Sequence, residues 1–441
     1  MNWNIIFFIL IPLFFFSFSL FSLIEKEYTA SKKSFSLAIF SIILLIILMN
    51  FIEILTIVNI IILTSTMIIL TPYNGKILKE YSIPKKLIDE RDIMFSRNLL
   101  KPETDEYKEY YSNHPEYEIL DNKFRSNPGL LNDKSYYYDQ NTFNASIATF
   151  QTIELLHCSL DNKSLGDKKC NINMSEFSKF IKKWILDSGA NSVGITELKD
   201  YHFYTHIGRG KDRGKEIFNK HKTAIAFTIE MNKEKMSYSP AGPTILESSS
   251  KYLDSGIIAY KVAEFLKQNG YDSRAHIDGN YRIICPLVAS DADLGEIGRM
   301  GLLMTQNLGP RVRIAVVTTE ADLICDKKNR DFSIDDFCNI CKKCAENCPP
   351  QAIEFDNKKL INGVRRWQIN SEKCFTYWTS IGTDCGRCMR VCPYSHEDNF
   401  MHNTVRYFLK RSWLFRRVAL LMDDYFYERK PKPKSYNSQK Y

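Results

Sequence analysis

No charged side chain occurs among the first 24 residues. A secretory leader needs a basic leading region and a small-residue cleavage site. The stretch from Trp3 to Ile24 has neither, and another apolar tract follows it, so it is expected to be retained. No twin-arginine pair precedes it, so the signal that exports proteins already folded around cofactors is missing there. Charge of one sign is scarce too: the net balance is +8 over 441 residues. Nothing in it forms the basic stripe that nucleic acid requires, and no nucleic-acid partner is expected. Disulfide spacing is absent as well. Eight of the twelve cysteines lie between positions 338 and 392 at metal-ligand spacing. The other four, Cys158, Cys170, Cys285 and Cys325, are scattered and read as ordinary core or surface thiols.

The N-terminus is instead strongly apolar. Trp3 to Ile24 suffices for one membrane-spanning helix of about 20 residues. A second tract of 36 residues runs from Phe35 to Leu70. As one helix it would extend about 54 Å, beyond a hydrocarbon core of roughly 30 Å. Two helices that turn near Asn50 and Glu53 fit better. Residues 1–72 are therefore expected to form an anchor of two or three transmembrane helices in the cell membrane. The basic residues that follow, Lys76, Lys79, Lys85, Lys86, Arg91 and Arg97, should hold that side, and the folded body, in the cytoplasm.

Residues 73–175 are polar and tyrosine-rich, and read as a lead-in that wraps the next domain. From Met174 the pattern sharpens. Phe177, Phe180, Ile181, Trp184 and Ile185 share one helical face, TAIAFTIEM reads as a buried strand, and KYLDSGIIAYKVAEFLKQNGY as an amphipathic helix closed by Gly270. YRIICPLVA and VRIAVVTT read as further strands, with a Gly-punctuated segment between them. Helices mixed with strands indicate an α+β body.

The cysteine runs carry the strongest chemistry. CNICKKCAENCP is C-x2-C-x2-C-x3-C-P, and CFTYWTSIGTDCGRCMRVCP is C-x10-C-x2-C-x3-C-P. Such spacing lets three thiolates meet one [4Fe–4S] cubane while the fourth reaches the other cluster. Cys338, Cys341, Cys344 and Cys392 are thus assigned to one cluster, and Cys348, Cys374, Cys385 and Cys388 to the second. A zinc site is the bland alternative, but two complete runs closed by C-x3-C-P are more specific than a lone C-x-x-C. Residues 331–400 are expected to form a bacterial-type two-cluster ferredoxin-like domain, and 401–441 a C-terminal extension.

About 260 residues separate the anchor from this redox wire, and over roughly residues 200–428 the sequence resembles the corrinoid- and iron–sulfur-dependent reductive dehalogenases. The resemblance rests on IGRGKDRG, AIAFTIEM, AGPTILESSSKY, AEFLKQNGY, DADLGEIGRMGLLMTQNLGPRVRI, both cysteine runs with FTYW after Cys374, and MDDYFY. It implies that residues 176–330 form a nitroreductase-like domain that binds cobalamin with no histidine on cobalt. In agreement, the usual D-x-H-x-x-G ligand motif has one near miss, at Asp200 to Thr205, so His202 reads as an ordinary loop or surface residue. The resemblance further implies that Tyr252, at the head of its helix, is a proton donor, with Arg313 as its basic partner and Asn280 as a polar residue of the same site. A cation about 4 Å from a phenol interacts by roughly 4 kcal/mol at an effective dielectric of 20, enough to draw a tyrosine toward neutrality. Gly295, Gly298, Gly301 and Gly309 would let backbone approach the corrinoid tail. The implied reaction is reduction of an organohalide by two electrons and a proton, with electrons from a quinol-linked protein or a ferredoxin. Two rivals stand beside it: an epoxyqueuosine-reductase-like cobalamin enzyme, and a non-catalytic membrane-tethered electron carrier.

Overall fold

The computed structural model describes residues 3–75, 83–161 and 173–436. Cys170, Lys76 and Lys79, named above, lie outside them. Residues 1–78 with 397–431 form one compact unit, and residues 79–396 with 432–441 form another.

The first unit is built on α1 (Trp3–Ile24), α2 (Tyr28–Leu48) and α3 (Ile52–Leu70). The long second tract is broken at 49–51, where its length demands a turn. α2 and α3 are each long and apolar enough to cross a membrane, and the apolar stretch of α1 runs from Phe8 to Ile24. α2 buries small residues, Ala30, Ser31, Ser34, Ala38 and Ser41. Ser34 Oγ donates to the Phe15 carbonyl at 2.6 Å, and the Ser19 and Ser31 hydroxyls meet at 3.1 Å. Small residues and these interhelical hydrogen bonds let α1 and α2 approach closely. Two C-terminal helices, Phe400–Arg411 and Trp413–Tyr427, belong to the same unit, their N-termini capped by Asn399 and Ser412.

The second unit centres on an antiparallel sheet of β1 (Ser192–Glu197), β2 (Thr223–Glu230), β3 (Ser273–His276) and, after a short hairpin of β4 (Glu296–Ile297) and β5 (Leu303–Met304), β6 (Val312–Thr319). The spatial order is β1-β2-β6-β3. Period-2 alternation gives β2 two apolar faces. Ile225, Phe227 and Ile229 join Ala315 and Val317 under the long helix Gly242–Gln268, while Ala224, Ala226 and Val316 pack on Val288 and Ala289 of the helix Cys285–Asp291. Helices therefore cover both faces of one sheet, an α+β layer arrangement.

Two local expectations need correction. YRIICPLVA is not a strand: before its helix only Ile283 pairs, in an isolated bridge with Phe203, and Pro286 seats the helix Cys285–Asp291 in its first turn, where its missing N–H costs nothing. The helix expected from Lys251 begins at Gly242, with Pro243 in its first turn, so Tyr252 lies in its interior and not at its head. The stretch from 83 to 161 is more regular than its weak periodicity suggested. Its helix Pro115–Arg125 packs on Ser371–Ile381 through Phe124 and Phe375, ring centroids 5.0 Å apart. Arg97, 1% exposed, ties them by ion pairs of 2.8 Å to both Asp121 and Glu372.

Candidate functional site

A half-open cavity of about 220 Å³ lies where the sheet, the long helix and the cluster segment converge. β6 contributes Val312, Arg313 and Ile314, the long helix contributes Tyr252, the segment before the Cys285–Asp291 helix contributes Tyr281 and Ile283, and that helix contributes Cys285. Leu302, Leu303 and Met389 complete an apolar wall. Met389 follows a cluster cysteine, and Cys388 and Leu302 pack with it in one apolar group.

Tyr252 and Arg313 are brought together. The guanidinium carbon of Arg313 stands 4.5 Å from the centroid of the Tyr252 ring, over its face. Ser248 and Tyr252, four residues apart, share one helix face. Arg313 bonds to the Ser248 hydroxyl and pairs with Asp384 Oδ2 at 2.7 Å, and Ser248 Oγ donates to the same oxygen at 2.5 Å. The expected direction of the Tyr252 pKa is overturned. Burial pushes the phenol up to about 12, and the pull of Arg313 only partly offsets it. The reason is geometric: the cation lies over the ring, not against the hydroxyl, and it is shared with Asp384. Burial likewise raises the Asp384 carboxyl against the pull of Arg313. It also raises the carboxyl of Asp278, whose Oδ1 is 3.5 Å from the Tyr281 hydroxyl.

Asn280 is not among the residues lining this cavity. Its Oδ1 accepts from Arg274 Nη2 at 2.7 Å, and its neighbour Tyr281 faces the site instead. The four glycines face protein. A Cβ on Gly295 would meet the Met304 carbonyl at 2.2 Å, one on Gly298 the Met304 side chain at 2.7 Å, and one on Gly309 Tyr394 at 2.6 Å, while one on Gly301 would make an ordinary contact with Ile369 at 3.5 Å. At Gly295, Gly298 and Gly309 the missing Cβ permits close packing of the β4–β5 hairpin and its flanks. His202, expected as a loop or surface residue, lies in the short turn Asp200–His202 and is fully buried. Its Nδ1 accepts from the Lys199 N–H at 3.1 Å and its Nε2 lies 3.1 Å from Asp291 Oδ2, so both ring nitrogens are taken.

The thiols fall into two sets. Cys338, Cys341, Cys344 and Cys392 border one small cavity. Lys342, in the left-handed region at φ 54°, turns the chain between the short helices that carry Cys341 and Cys344. Cys348, Cys374, Cys385 and Cys388 form the second set, coupled through repulsion of their charged forms. Burial is the main cause that pushes Cys374 and Cys388 up to about 12 and Cys338 to about 11. Buried thiols that must ionise together require compensating positive charge, which iron supplies. Among the described residues, no three Cys, His, Asp or Glu are arranged to hold a single ion.

Asp384 and Met389 were missed by sequence reasoning, although both adjoin cluster cysteines. Tyr281 was missed beside Asn280, where alternation with Ile283 was the available signal.

Residues 337–396 match the model of a 4Fe-4S dicluster domain. A tetrachloroethene reductive dehalogenase of Desulfitobacterium hafniense is 36% identical over 279 residues, 52% of this chain and 50% of that protein. That of Sulfurospirillum multivorans is 31% identical over 215 residues, 47% of this chain and 42% of the relative. The chain thus spans about half the length of the curated relatives it matches. A solved reductive dehalogenase structure, described with B12-dependent dehalogenation, superposes with TM-score 0.59 at 26% identity, covering 70% of this chain and 46% of that one. Sequence, fold and the two-cluster segment point the same way: over about half of their length this chain is similar to reductive dehalogenases, and it carries a 4Fe-4S dicluster segment.

Proposed function

We propose that this chain is a membrane-anchored reductive dehalogenase that replaces the halogen of an organohalide by hydrogen: R–X + 2e⁻ + H⁺ → R–H + X⁻. The observation that carries the reading is one cavity with Tyr252 and Arg313 on one wall and Met389, next to Cys388, on another. A proton source and an electron source then serve the same space.

The residues present fit a corrinoid. Ile283, Leu302, Leu303, Val312 and Ile314 offer an apolar face to a macrocycle, and no histidine is among the described residues lining the cavity. Beside it, Arg313 Nε and Asp384 Oδ1 are buried without a hydrogen-bond partner, and the amide side chains of a corrinoid would satisfy them. The corrinoid supplies, when bound, a strongly reducing cobalt at which carbon–halogen cleavage becomes accessible.

With a pKa of about 12, Tyr252 stays protonated at any ordinary pH and holds its proton in reserve. A carbanion-like carbon is far more basic than a phenolate, so transfer needs no activated donor. Arg313 over the ring then stabilises the phenolate it leaves behind. Asp384 and Ser248 keep that guanidinium in place. The eight cysteines named above hold the two clusters, which deliver electrons singly.

The anchor crosses the membrane two or three times and keeps the catalytic unit on the cytoplasmic side, where a quinol-linked protein or a ferredoxin supplies electrons. Of the basic cluster behind this orientation, Arg97 and Arg91 are engaged in ion pairs, and Lys85 and Lys86 are exposed.

Anaerobic reconstitution with cobalamin, followed by halide release across aryl and alkenyl halides, tests the reading. Stoichiometric cobalt with reductant-dependent halide release is expected. A chain with full iron and sulfide that takes up no cobalt would refute it.

A further inference from the structure

Arg299 stands in the turn of the β4–β5 hairpin, where the Gly298 N–H donates to Leu302 O at 2.9 Å and the Gly301 N–H to Gly298 O at 3.0 Å. That tight turn presses the hairpin against the cluster segment: a Cβ on Gly298 would come within 3.6 Å of Cys338 Sγ. The next side chain is carried inward. Arg299 is 1% exposed, and it borders the small cavity shared by Cys338, Cys341, Cys344 and Cys392.

Its hydrogen bonds go to neutral groups. Nε donates to Cys338 O at 3.0 Å, and Nη1 donates to Glu354 O and Asp356 O, both at 2.8 Å. The centroid of the Trp367 ring lies 4.8 Å from the guanidinium carbon. The acids of the same segment are taken by lysines: Lys358 pairs with Asp335 at 2.6 Å, and Lys359 with Glu354 at 2.8 Å and Asp356 at 3.7 Å. Among the described residues no carboxylate forms an ion pair with Arg299, and its Nη2 is buried without a hydrogen-bond partner. A guanidinium withdrawn from water is costly unless an anion compensates it. Carbonyl dipoles and one ring face do so only in part. The thiolates of Cys344, Cys338 and Cys341 are the charges that draw the Arg299 pKa up against burial.

We infer that Arg299 is the countercharge of the cluster held by Cys338, Cys341, Cys344 and Cys392: its Nη2 donates to a sulfur of that cubane, and its charge raises the reduction potential of that cluster alone. This rests on the reading of the eight thiols as ligands of two [4Fe–4S] clusters. A two-plus core with four thiolates is a dianion, and reduction adds one electron and no proton to make it a trianion. A fixed cation favours the trianion, because net charge and hydrogen bonds to sulfur set such potentials. An arginine stays charged at any ordinary pH, so the effect carries no pH dependence of its own. The cavity beside Tyr252 takes Met389, next to Cys388 of the second cluster, and none of the residues that border the first. Arg299 therefore acts on the relay of electrons and touches no substrate. A cluster whose reduced form is stabilised can be loaded by a weaker donor.

The test is an anaerobic redox titration of the full holoprotein followed by electron paramagnetic resonance, which reads a one-electron couple for each cluster. Arg299→Met keeps an unbranched side chain and removes the charge. It should bind full iron and sulfide, shift the reduction equilibrium of one couple at least tenfold toward the oxidised form, about 59 mV for one electron, and leave the other within twofold. In the Cys388→Ser chain, where the first cluster should remain alone, the same substitution should give the same shift. Arg299→Lys keeps the charge and should recover at least half of it. Two unmoved couples would overturn the inference. So would a shift confined to the couple that Cys388→Ser removes, or an Arg299→Lys chain as low as Arg299→Met. Should Arg299→Met bind iron for one cluster only, the native side chain decides. With isotope-labelled arginine nitrogen in the Cys388→Ser chain, pulsed resonance of the reduced cluster should show a nitrogen coupling that Arg299→Lys lacks, and no such coupling would overturn the assignment. A native chain with no cluster signal at all would overturn the reading of the thiols, and Arg299 with it.

Discussion

The two cluster sites and the cavity beside them are built in opposite ways. All eight cluster thiols come from one stretch, between positions 338 and 392. The cavity wall is gathered from the long helix, from β6, from the segment before the Cys285–Asp291 helix, from the β4–β5 region and from the cluster segment itself. A local site is specified by spacing and survives so long as a few turns hold. A dispersed site depends on the register of a sheet and the phase of a helix, and its chemistry inherits their packing. Burial outweighing Arg313 at Tyr252 is an instance: the field at the phenol is set by how deeply the helix packs, not by the nearest charge alone.

The sharpest way to break that contrast is to remove one thiol. Cys388→Ser should lose the second cluster, halve bound iron and abolish turnover, while near-ultraviolet circular dichroism keeps the core signature. Loss of the core signal as well would show that the local site also organises the dispersed one. Next in size is Tyr252→Phe, which deletes the proposed proton donor but keeps the ring under Arg313. Turnover should fall by about 10²–10⁴-fold, the range general acid catalysis contributes, with bound cobalt unchanged. Unaltered turnover would remove Tyr252 from the chemistry.

Legibility follows the same division. The cysteine runs, the buried strand Thr223–Glu230 and the helix Met174–Asp187 could be read directly, because spacing and periodicity are local properties. Tyr252 and Arg313 could be named through family resemblance, yet their energetics could not, since whether a guanidinium meets a hydroxyl or a ring face is decided by packing. Asp384 was invisible for the same reason: nothing near it in sequence announces an arginine 71 positions away. The role of the glycines was not legible, because positive φ and close approach look alike in sequence whether the neighbour is a ligand or Met304. The start of the long helix was misplaced because Gly242 is a poor helix former, tolerated there because a Cβ would strike Thr142 Oγ1 at 2.2 Å.

A smaller effect probes the sheet on which the dispersed site depends. His276 is buried on β3, its Nε2 2.9 Å from Thr318 Oγ1 and its Nδ1 accepting from the Arg282 N–H at 3.2 Å. Burial, reinforced by Arg274, His221 and Arg282, holds its pKa well below the ordinary value. Because the folded pKa is depressed, the unfolded chain binds the extra proton once pH drops below about 6.5, and stability falls on acidification by up to about 1.4 kcal/mol per pH unit. The loss continues until the folded imidazole itself titrates. Thermal unfolding of His276→Gln should therefore depend less on pH than that of the native chain between about pH 6.5 and 5. Because both chains carry the clusters, acid damage to iron–sulfur centres is common to them and drops out. Parallel pH profiles would mean that the ring is solvated or already paired when charged.

The smallest effect bears on where the dispersed site ends. The Asn280 side chain is turned to Arg274, which also holds Asp161 at 2.8 Å. Asn280→Ala removes one hydrogen bond to a guanidinium that keeps another partner, so the cost in stability should be about 1 kcal/mol, a few degrees of melting temperature at most. Turnover and KM should stay within about twofold, because a change of 1.4 kcal/mol in the barrier is already tenfold and this amide touches no cavity wall. Tyr281→Phe, one residue along, changes a group that does line the cavity and is hydrogen-bond distance from Asp278, and should move turnover more than Asn280→Ala does. If the order were reversed, the amide would have to reach the reacting centre in the loaded enzyme. The loop between β3 and the Cys285–Asp291 helix would then rearrange when the cofactor binds, and the dispersed site would be assembled by its ligand as much as by the sheet.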